Sequence, residues 1–122
     1  MNFNNILIGS EDPERLAAYY EKLFGAPMYR DSSYSVWQIG SGAVAVGPHS
    51  EVHGKNPQPG RLLWNIESDD VTGEFERMKA AGAIVVAEPY EFEEAPGSAI
   101  ATLADPDDNY FQLMSPMGPP PS

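Results

Sequence analysis

The chain has 122 residues, of which 42% are hydrophobic, and this is enough for one domain with its own core. It contains no cysteine, so disulfides, thiolate metal sites and cysteine nucleophiles are excluded. A formal net charge of −11 disfavours nucleic acid and membrane surfaces as partners, whereas a cationic small molecule is compatible with it.

The first half of the chain alternates strand and helix patterns. The run Phe3–Ile8 predicts a strand. The segment Asp12–Gly25 predicts a helix, because Asp12 suits the N-cap and the final glycine suits a left-handed C-terminal cap. Apolar residues recur in it at helical spacing and form one stripe: Leu16, Tyr19, Tyr20, Leu23 and Phe24. Three short strands are predicted next: Met28–Arg30, Ser35–Ile39 and Ala43–Gly47.

The second half repeats this order. A strand is predicted at Leu62–Glu67, and a second helix, capped by Asp69 or Asp70, ends at Gly82. Further strand patterns follow: Ile84–Ala87, Tyr90–Phe92, Ala99–Leu103 and Tyr110–Met114. Asp69 lies 57 positions after Asp12, and the two helix-ending glycines are also 57 positions apart. Equal offsets and a matching order of elements indicate an internal duplication.

Segments rich in glycine, proline and polar residues mark the boundaries. Module 1 is predicted at about residues 3–48 and module 2 at about 61–116, with a linker at 49–60. Together they form a single predicted domain over residues 1–117, and residues 118–122 are predicted to be a disordered tail. The first residues show no signal-peptide pattern, and no apolar run approaches the roughly 20 residues that span a bilayer, so we expect a cytoplasmic protein.

Three blocks of the sequence carry a family resemblance. Residues 10–25 and 67–82 are similar to the helical segments of the vicinal-oxygen-chelate (VOC) family, which includes glyoxalases, bleomycin-resistance proteins and dioxygenases. Residues 105–113, with the sequence Asp-Pro-Asp-Asp-Asn-Tyr-Phe-Gln-Leu, resemble the family's closing turn and strand. The resemblance implies an α+β fold in which two tandem βαβββ modules form a cup-shaped mixed sheet. It also implies a homodimer.

In the family's enzymes, four side chains on the sheets hold a divalent metal. The resemblance places a His or Gln on the first strand, Glu on the fourth, His on the fifth and Glu on the eighth. The corresponding positions here read Asn5, Gly47, Leu63 (or Leu62 if the register slips) and Gln112. Two neutral amides supply neither the imidazole nitrogen nor the charged oxygen that such metals prefer. We therefore predict no metal at these positions and no cofactor.

Two histidines offer an alternative metal pair. His49 and His53 are four residues apart, a spacing that binds metal when the pair lies on a helix. Pro48 and Gly54 flank the pair and disfavour a helix, so two surface histidines are the simpler interpretation. No Ser–His–Asp set or glycine-rich phosphate loop has a supporting motif in the sequence.

Strand alternation predicts which side chains line the cup. Apolar side chains with a few polar groups suit a small organic ligand, and the alternative is that they only fill the interior. The predicted ligand-binding residues are Asn5, Leu7, Tyr34, Leu63, Asn65, Glu67, Tyr110, Gln112 and Met114.

The sequence leaves three alternative hypotheses for the function. The first is a metal-free module that sequesters a small organic molecule, in the manner that resemblance to bleomycin-resistance proteins implies. The second is a metal-dependent lyase, isomerase or dioxygenase of the VOC kind, which needs the missing ligand set or an acid such as Glu67. The third is an interaction subunit that has no ligand.

Overall fold

The computed structural model describes residues 1–93 and 95–116, apart from the side chain of Phe92. The chain divides into two compact units. Of the described residues, 1–56 and 105–107 form unit 1, and the others, from residue 57 to residue 116, form unit 2. The segment predicted as a disordered tail lies outside the described residues.

Unit 1 is a four-stranded mixed sheet with one helix. Its elements are β1 (Ile6–Ser10), α1 (Pro13–Phe24), β2 (Tyr29–Arg30), β3 (Ser35–Ile39) and β4 (Gly42–Pro48). The strand order is β1-β4-β3-β2, in which β1 runs parallel to β4 and the other pairs are antiparallel.

Unit 2 repeats this plan after a short 3-10 turn at Pro59–Arg61. Its elements are β5 (Leu63–Glu67), α2 (Val71–Ala80), β6 (Ile84–Phe92), β7 (Ala95–Ala104) and β8 (Tyr110–Met114). The strand order is β5-β8-β7-β6, and β5 runs parallel to β8. The predicted α+β fold with tandem βαβββ modules is confirmed.

Both helices begin at an aspartate. The Asp12 and Asp70 carboxylates each accept the backbone N–H three residues further on, at 3.2 and 2.9 Å. The second cap is therefore Asp70 rather than Asp69, and 58 positions separate the two caps. The two glycines are nevertheless 57 positions apart: α2 is two residues shorter than α1, but Ala81 lies between α2 and Gly82, whereas Gly25 follows α1 directly.

The first strand begins later than its sequence pattern indicates. It was predicted at Phe3–Ile8 but runs from Ile6 to Ser10, and Phe3 is exposed. A strand extends only as far as it has a partner, and the pairing of β1 with β4 starts at Ile6 and Val44.

Two of the short strand patterns after α2 form a single strand. The predicted strands Ile84–Ala87 and Tyr90–Phe92 join in the nine-residue β6, which pairs with the ten-residue β7. Register shifts interrupt this pairing on either side of Ala87, and Pro89 lies within the second shift. Such irregularities break the alternation of side chains, so the sequence shows two separate patterns.

The core of unit 1 lies between α1 and one face of its sheet. The helix residues Leu16, Tyr20 and Leu23 are at most 1% exposed. Trp37 faces them from β3, with its ring centroid 6.2 Å from that of Tyr20, and its Nε1 donates to the Gly25 carbonyl at 2.8 Å. Trp37 therefore packs in the core of unit 1.

The core of unit 2 lies between α2 and the strands β7 and β8. Val71, Phe75 and Met78 are the buried residues of the helix. The residues of the sheet with 0% exposure share one face: Ala101, Leu103, Phe111 and Leu113. Trp64 joins this face from β5 and stacks on the Phe111 ring at a centroid distance of 5.0 Å.

Candidate ligand-binding faces

Each sheet has one face against its helix and an opposite face, which we call the distal face. Side chains alternate along a strand and paired residues point to the same side, so the register assigns every residue to a face. The distal face of unit 1 contains Leu7, Gly9, Val36, Gln38, Ala43, Ala45 and Gly47. The distal face of unit 2 contains Leu63, Asn65, Glu67, Ile100, Thr102, Ala104, Tyr110, Gln112 and Met114.

Tyr34 covers one end of the distal face of unit 1. Its ring rests so closely on Gly47 that a Cβ atom at the glycine would collide with it. Asp31 organises the turn that carries Tyr34. Its carboxylate accepts the backbone N–H groups of Ser33 at 2.8 Å and Tyr34 at 2.7 Å, and the Tyr29 hydroxyl at 2.7 Å. These hydrogen bonds, the one from Ser33 most of all, lower the pKa of Asp31.

The two histidines of unit 1 lie in a turn after β4 and not on a helix. The Val52 N–H donates to the His49 carbonyl at 3.1 Å, which closes the turn. Nδ1 of His49 accepts the Glu51 N–H at 3.1 Å, and Nδ1 of His53 lies 3.9 Å from a Glu11 carboxylate oxygen. The two imidazoles therefore do not lie on one face of a helix, which is what a metal pair with this spacing requires.

A row of polar side chains crosses the distal face of unit 2. The register places Asn65, Gln112 and Thr102 side by side on three adjacent strands. Nε2 of Gln112 donates to Oγ1 of Thr102 at 3.0 Å. Thr102 is 7% exposed, whereas Gln112 is half-buried and Asn65 is exposed. Within the described part of the chain, neither the Asn65 amide nor Oε1 of Gln112 has a hydrogen-bond partner, so both can bind a ligand.

The polar row has different neighbours on its two sides. Along β5, Glu67 follows Asn65 and pairs with Met114, so a carboxylate lies beyond one side of the row. On the other side, Leu63 pairs with Tyr110. Among the distal-face residues of β5, β7 and β8, all of which the structure describes, Glu67 is the one charged side chain. The face thus offers a carboxylate, a neutral polar row and an apolar aromatic end.

The structure distributes the predicted binding residues over both units. Six share the distal face of unit 2: Leu63, Asn65, Glu67, Tyr110, Gln112 and Met114. In unit 1, Leu7 is 47% exposed on the distal face and Tyr34 is 41% exposed at its edge. Asn5 precedes β1, and its Nδ2 donates to Oδ1 of Asn4 at 2.6 Å.

Thr102 was missed as a member of this set. It lies within the predicted strand Ala99–Leu103, between the apolar residues Ala101 and Leu103. That alternation is the signal that separates Thr102 from the core face and assigns it to the distal face. Its hydrogen bond with Gln112 depends on the pairing of β7 with β8, which alternation alone does not reveal.

The residues at the family's metal positions do not fit a metal. Asn5 and Gln112 offer neutral amides, and the Gln112 amide already donates to Thr102. Leu63 has no ligating atom, and a ligating side chain at Gly47 would need the space of the Tyr34 ring. Among residues 1–93 and 95–116, no three His, Cys, Asp or Glu side chains come together in a group that could hold a metal ion.

The strand registers correct one of these positions. Leu7 and Asn65 are 58 positions apart, the same offset as that of the helix caps, so they are equivalent residues of the two units. Leu7 pairs with Ala45, and Asn65 pairs with Gln112. The counterpart of Gln112 in unit 1 is therefore Ala45, whereas Gly47 corresponds to Met114. Neither residue of unit 1 carries a ligating side chain, so the corrected position fits a metal no better.

The closing turn forms a buried polar cluster within unit 1. The Tyr20 hydroxyl donates to Oδ2 of Asp105 at 2.6 Å, and both residues are fully buried. Oδ1 of Asp105 accepts the Asp107 N–H at 2.8 Å, and Asp107 in turn accepts the Ser10 hydroxyl at 2.6 Å. Burial, with the Asp105 charge next in importance, raises the pKa of Tyr20 well above its ordinary value, so the phenol remains a donor. These residues stabilise the fold and present no group to a ligand.

A shallow cavity of about 340 Å³ lies on the helix side of unit 1. It is lined by charged, hydroxyl and small side chains of α1, β2, β3 and the turn between the two strands, including Glu14, Glu21, Arg30 and Ser35. The Arg30 guanidinium is engaged there, because it donates to Ser35 at 3.2 Å and lies 3.4 Å from Glu21. The cavity belongs to neither distal face.

Comparison with known proteins agrees with this architecture. The profile of the glyoxalase-like domain matches residues 5–114. No curated protein sequence matches the chain. The chain belongs to the glyoxalase-like domain family of the VOC superfamily.

Among the described residues, no helix is long and apolar enough to cross a membrane.

Solved structures of similar fold share little sequence with the chain. A glyoxalase/bleomycin resistance protein/dioxygenase family enzyme from Burkholderia phytofirmans PsJN is 21% identical with a TM-score of 0.72, and the match covers 96% of this chain and 100% of that one. TioX from Micromonospora sp. ML1 is 18% identical with a TM-score of 0.74, over 95% and 100% of the two chains. A bleomycin-binding protein complexed with bleomycin is 20% identical with a TM-score of 0.67, over 96% and 100%. These similarities concern the fold.

Proposed function

We propose that this protein is a metal-independent binding protein that sequesters a small organic molecule carrying a cationic group. The observation that carries the proposal is the chemistry of the residues at the family's metal positions, which are two neutral amides, a glycine and a leucine. A divalent cation loses its hydration on binding, and neutral amides alone do not compensate that cost.

The distal face of unit 2 supports a ligand of this kind. It combines the exposed Asn65 amide and the half-buried Gln112 amide with the Glu67 carboxylate and with the side chains of Leu63 and Tyr110. A few polar groups among apolar ones are typical of small-molecule sites. The net charge of −11 favours the approach of a cation. One protein of similar fold is described as bleomycin-binding, so in that protein the fold holds a small molecule.

Two measurements test the proposal. Protein purified without a histidine tag is analysed for bound metal, and its thermal unfolding is followed with a chelator and then with zinc, nickel, iron or manganese. We expect less than stoichiometric metal and no stabilisation by any of these ions. Stoichiometric metal, together with turnover of glyoxalase-type substrates, would instead support the metal-dependent enzyme.

A ligand screen completes the test. Cationic compounds and their neutral analogues are compared by thermal shift, because a ligand that binds the native state raises its apparent stability. We expect stabilisation by one or more cationic compounds, and a smaller shift in Glu67→Gln. Glu76→Gln, an exposed change on α2, is the matched control. If no compound of any class stabilises the protein, the interaction subunit becomes the better hypothesis.

Assembly and location are further parts of the proposal. We propose a homodimer, because the edge strand β6 carries Ile84, Val85 and Val86 at 36 to 43% exposure, and apolar edge strands favour pairing. Light scattering after size exclusion should give the dimer mass, and Val86→Lys should shift the protein toward monomer. A monomer at every concentration contradicts the dimer. The cytoplasmic location stays a prediction, for which cell fractionation is the test.

A further inference from the structure

The Gln112 amide has a defined orientation in the structure, in which it donates a hydrogen bond to Thr102. A glutamine side chain ends in one acceptor and one donor group, and rotation by half a turn exchanges them. Here Nε2 is directed along the polar row to Oγ1 of Thr102 at 3.0 Å. Thr102 is 7% exposed, so this donor is committed to a buried partner. One N–H of Nε2 is thereby occupied, and Oε1 of Gln112 is left as an acceptor for a ligand.

The second acceptor of this face is the carboxylate of Glu67. Gln112 pairs with Asn65, and Glu67 lies two residues beyond Asn65 on β5. The strand spacing and the rise per residue put the Cα atoms of Gln112 and Glu67 roughly 8 Å apart. Glu67 is exposed and makes no hydrogen bond or ion pair with the described residues. One neutral and one charged acceptor thus lie on the same face, and the strand register fixes the separation of their backbone positions.

We propose that Thr102 is a positioning residue that holds Gln112 as an acceptor, and that the distal face of unit 2 takes an extended ligand with two hydrogen-bond donors. A neutral N–H donates to Oε1 of Gln112, and an ammonium group lies at Glu67. The apolar part of the ligand lies beside Tyr110 or Met114, which flank Gln112 along β8. This inference rests on the proposed function, because it specifies the ligand class of the same binding face.

Three probes separate the two contacts. The first is 5-acetamidopentylamine, which carries an amide N–H and an ammonium group on a pentyl spacer. The second is its N-methylated amide, which has lost the N–H donor, and the third is N-pentylacetamide, which has lost the ammonium group. Binding is followed through the ¹⁵N–¹H signals of the Asn65 and Gln112 side-chain amides. We expect the first probe to bind about threefold to tenfold more tightly than either analogue.

Variants at Thr102 test the positioning role. In Thr102→Val the Gln112 amide loses its partner and rotates, so the preference for the N–H probe over its N-methylated analogue should disappear. Thr102→Ser keeps the hydroxyl and should keep the preference. A residue of purely structural importance would alter stability in both variants and leave the preference unchanged. If Thr102→Val does not fold, Gln112→Met removes the same acceptor and should also abolish the preference.

The possible outcomes separate a failure of the proposed donor pattern from a failure of the proposed binding function. Equal binding of the N–H and N-methylated probes, or amide signals of residues 65 and 112 that do not move, overturns the inference. If the probes fail but other cationic compounds stabilise the protein, the binding function stands and the donor pattern is wrong. If no compound binds at all, both proposals fall.

Discussion

The Tyr20 hydroxyl and the Asp105 carboxylate form a fully buried hydrogen bond of 2.6 Å, although 85 positions separate the two residues in sequence. It joins helix α1 to the closing turn within unit 1. The same carboxyl group accepts the Asp107 N–H through its other oxygen. A buried carboxylate needs such donors, because without them its desolvation is not compensated.

Removing the Tyr20 hydroxyl should destabilise the protein. Tyr20→Phe keeps the ring contacts with Phe24 and Trp37 but leaves Oδ2 of Asp105 without this donor. We expect a loss of about 1–3 kcal/mol in the free energy of unfolding, measured by urea denaturation. Tyr29→Phe is the matched control, because it removes an exposed hydroxyl that also donates to an aspartate. Equal effects of the two changes would contradict the importance of burial.

The same pair should make the fold sensitive to alkali. Burial and the Asp105 charge hold the pKa of Tyr20 well above the ordinary value of 10.0, which applies when the chain is unfolded. Below pH 10 the phenol is protonated in both states, and its contribution to stability is complete. Above it the unfolded state releases a proton that the folded state retains, so stability falls as pH rises toward the folded pKa. Denaturation at about pH 9 and about pH 11 measures this loss.

Tyr20→Phe supplies the comparison for the alkaline effect. This variant should be less stable at pH 9 but should lose less further stability between the two pH values than the native protein. An equal alkaline loss in both proteins would assign the effect to other groups, such as Tyr29, whose pKa is also raised by its hydrogen bond with Asp31.

Asp31 should control the order of the turn that carries Tyr34. Asp31→Ala removes the acceptor of the Ser33 and Tyr34 N–H groups, so both amides should exchange faster with solvent, as NMR measures. Ser32→Ala is the control, because the Ser32 hydroxyl has no hydrogen bond with the described residues. Unchanged exchange in Asp31→Ala would show that the turn is ordered by other contacts.

The turn should also loosen in acid. Its hydrogen bonds lower the pKa of Asp31 below the ordinary 3.8, so the folded state binds the proton less well than the unfolded state. The contribution of Asp31 is therefore present above pH 3.8 and is lost as pH falls through the folded pKa. In native protein, exchange of the Ser33 and Tyr34 amides, corrected for the intrinsic pH dependence of exchange, should approach the rates of Asp31→Ala only in that acidic range.

Gly47 should tolerate a side chain only if Tyr34 moves. Gly47→Ala places a methyl group where the Tyr34 ring lies, and we expect a loss of about 1–3 kcal/mol in stability from this overpacking. In the double variant Tyr34→Ser/Gly47→Ala the added methyl group should cost less, which a double-mutant cycle measures. Gly60→Ala is the control, because a Cβ atom there would meet nothing within 4 Å. Additive effects would show that the ring and the glycine are independent.

The sequence by itself determined the local elements of this protein. The predicted strand bounds Ser35–Ile39 and Tyr110–Met114 agree with the structure, because alternation and turn residues are signals within a few positions of each other. The helix caps are local signals in the same way, and comparison of the two halves of the chain then showed the duplicated order of elements. The resemblance of residues 105–113 then led to the family, and alternation placed Asn65 and Gln112 on one face.

Only the tertiary structure decided what those residues contact. The sequence does not show that Gly47 must lack a side chain, because the Tyr34 ring that occupies this space comes from another segment. Nor does it show that Asp105 accepts a hydrogen bond from Tyr20 on α1. The strand registers likewise identified Ala45 as the counterpart of Gln112 and brought Thr102 to the Gln112 amide. A pattern along the chain assigns a residue to a face, but its partner comes from another strand or helix. Packing and strand pairing determine that partner.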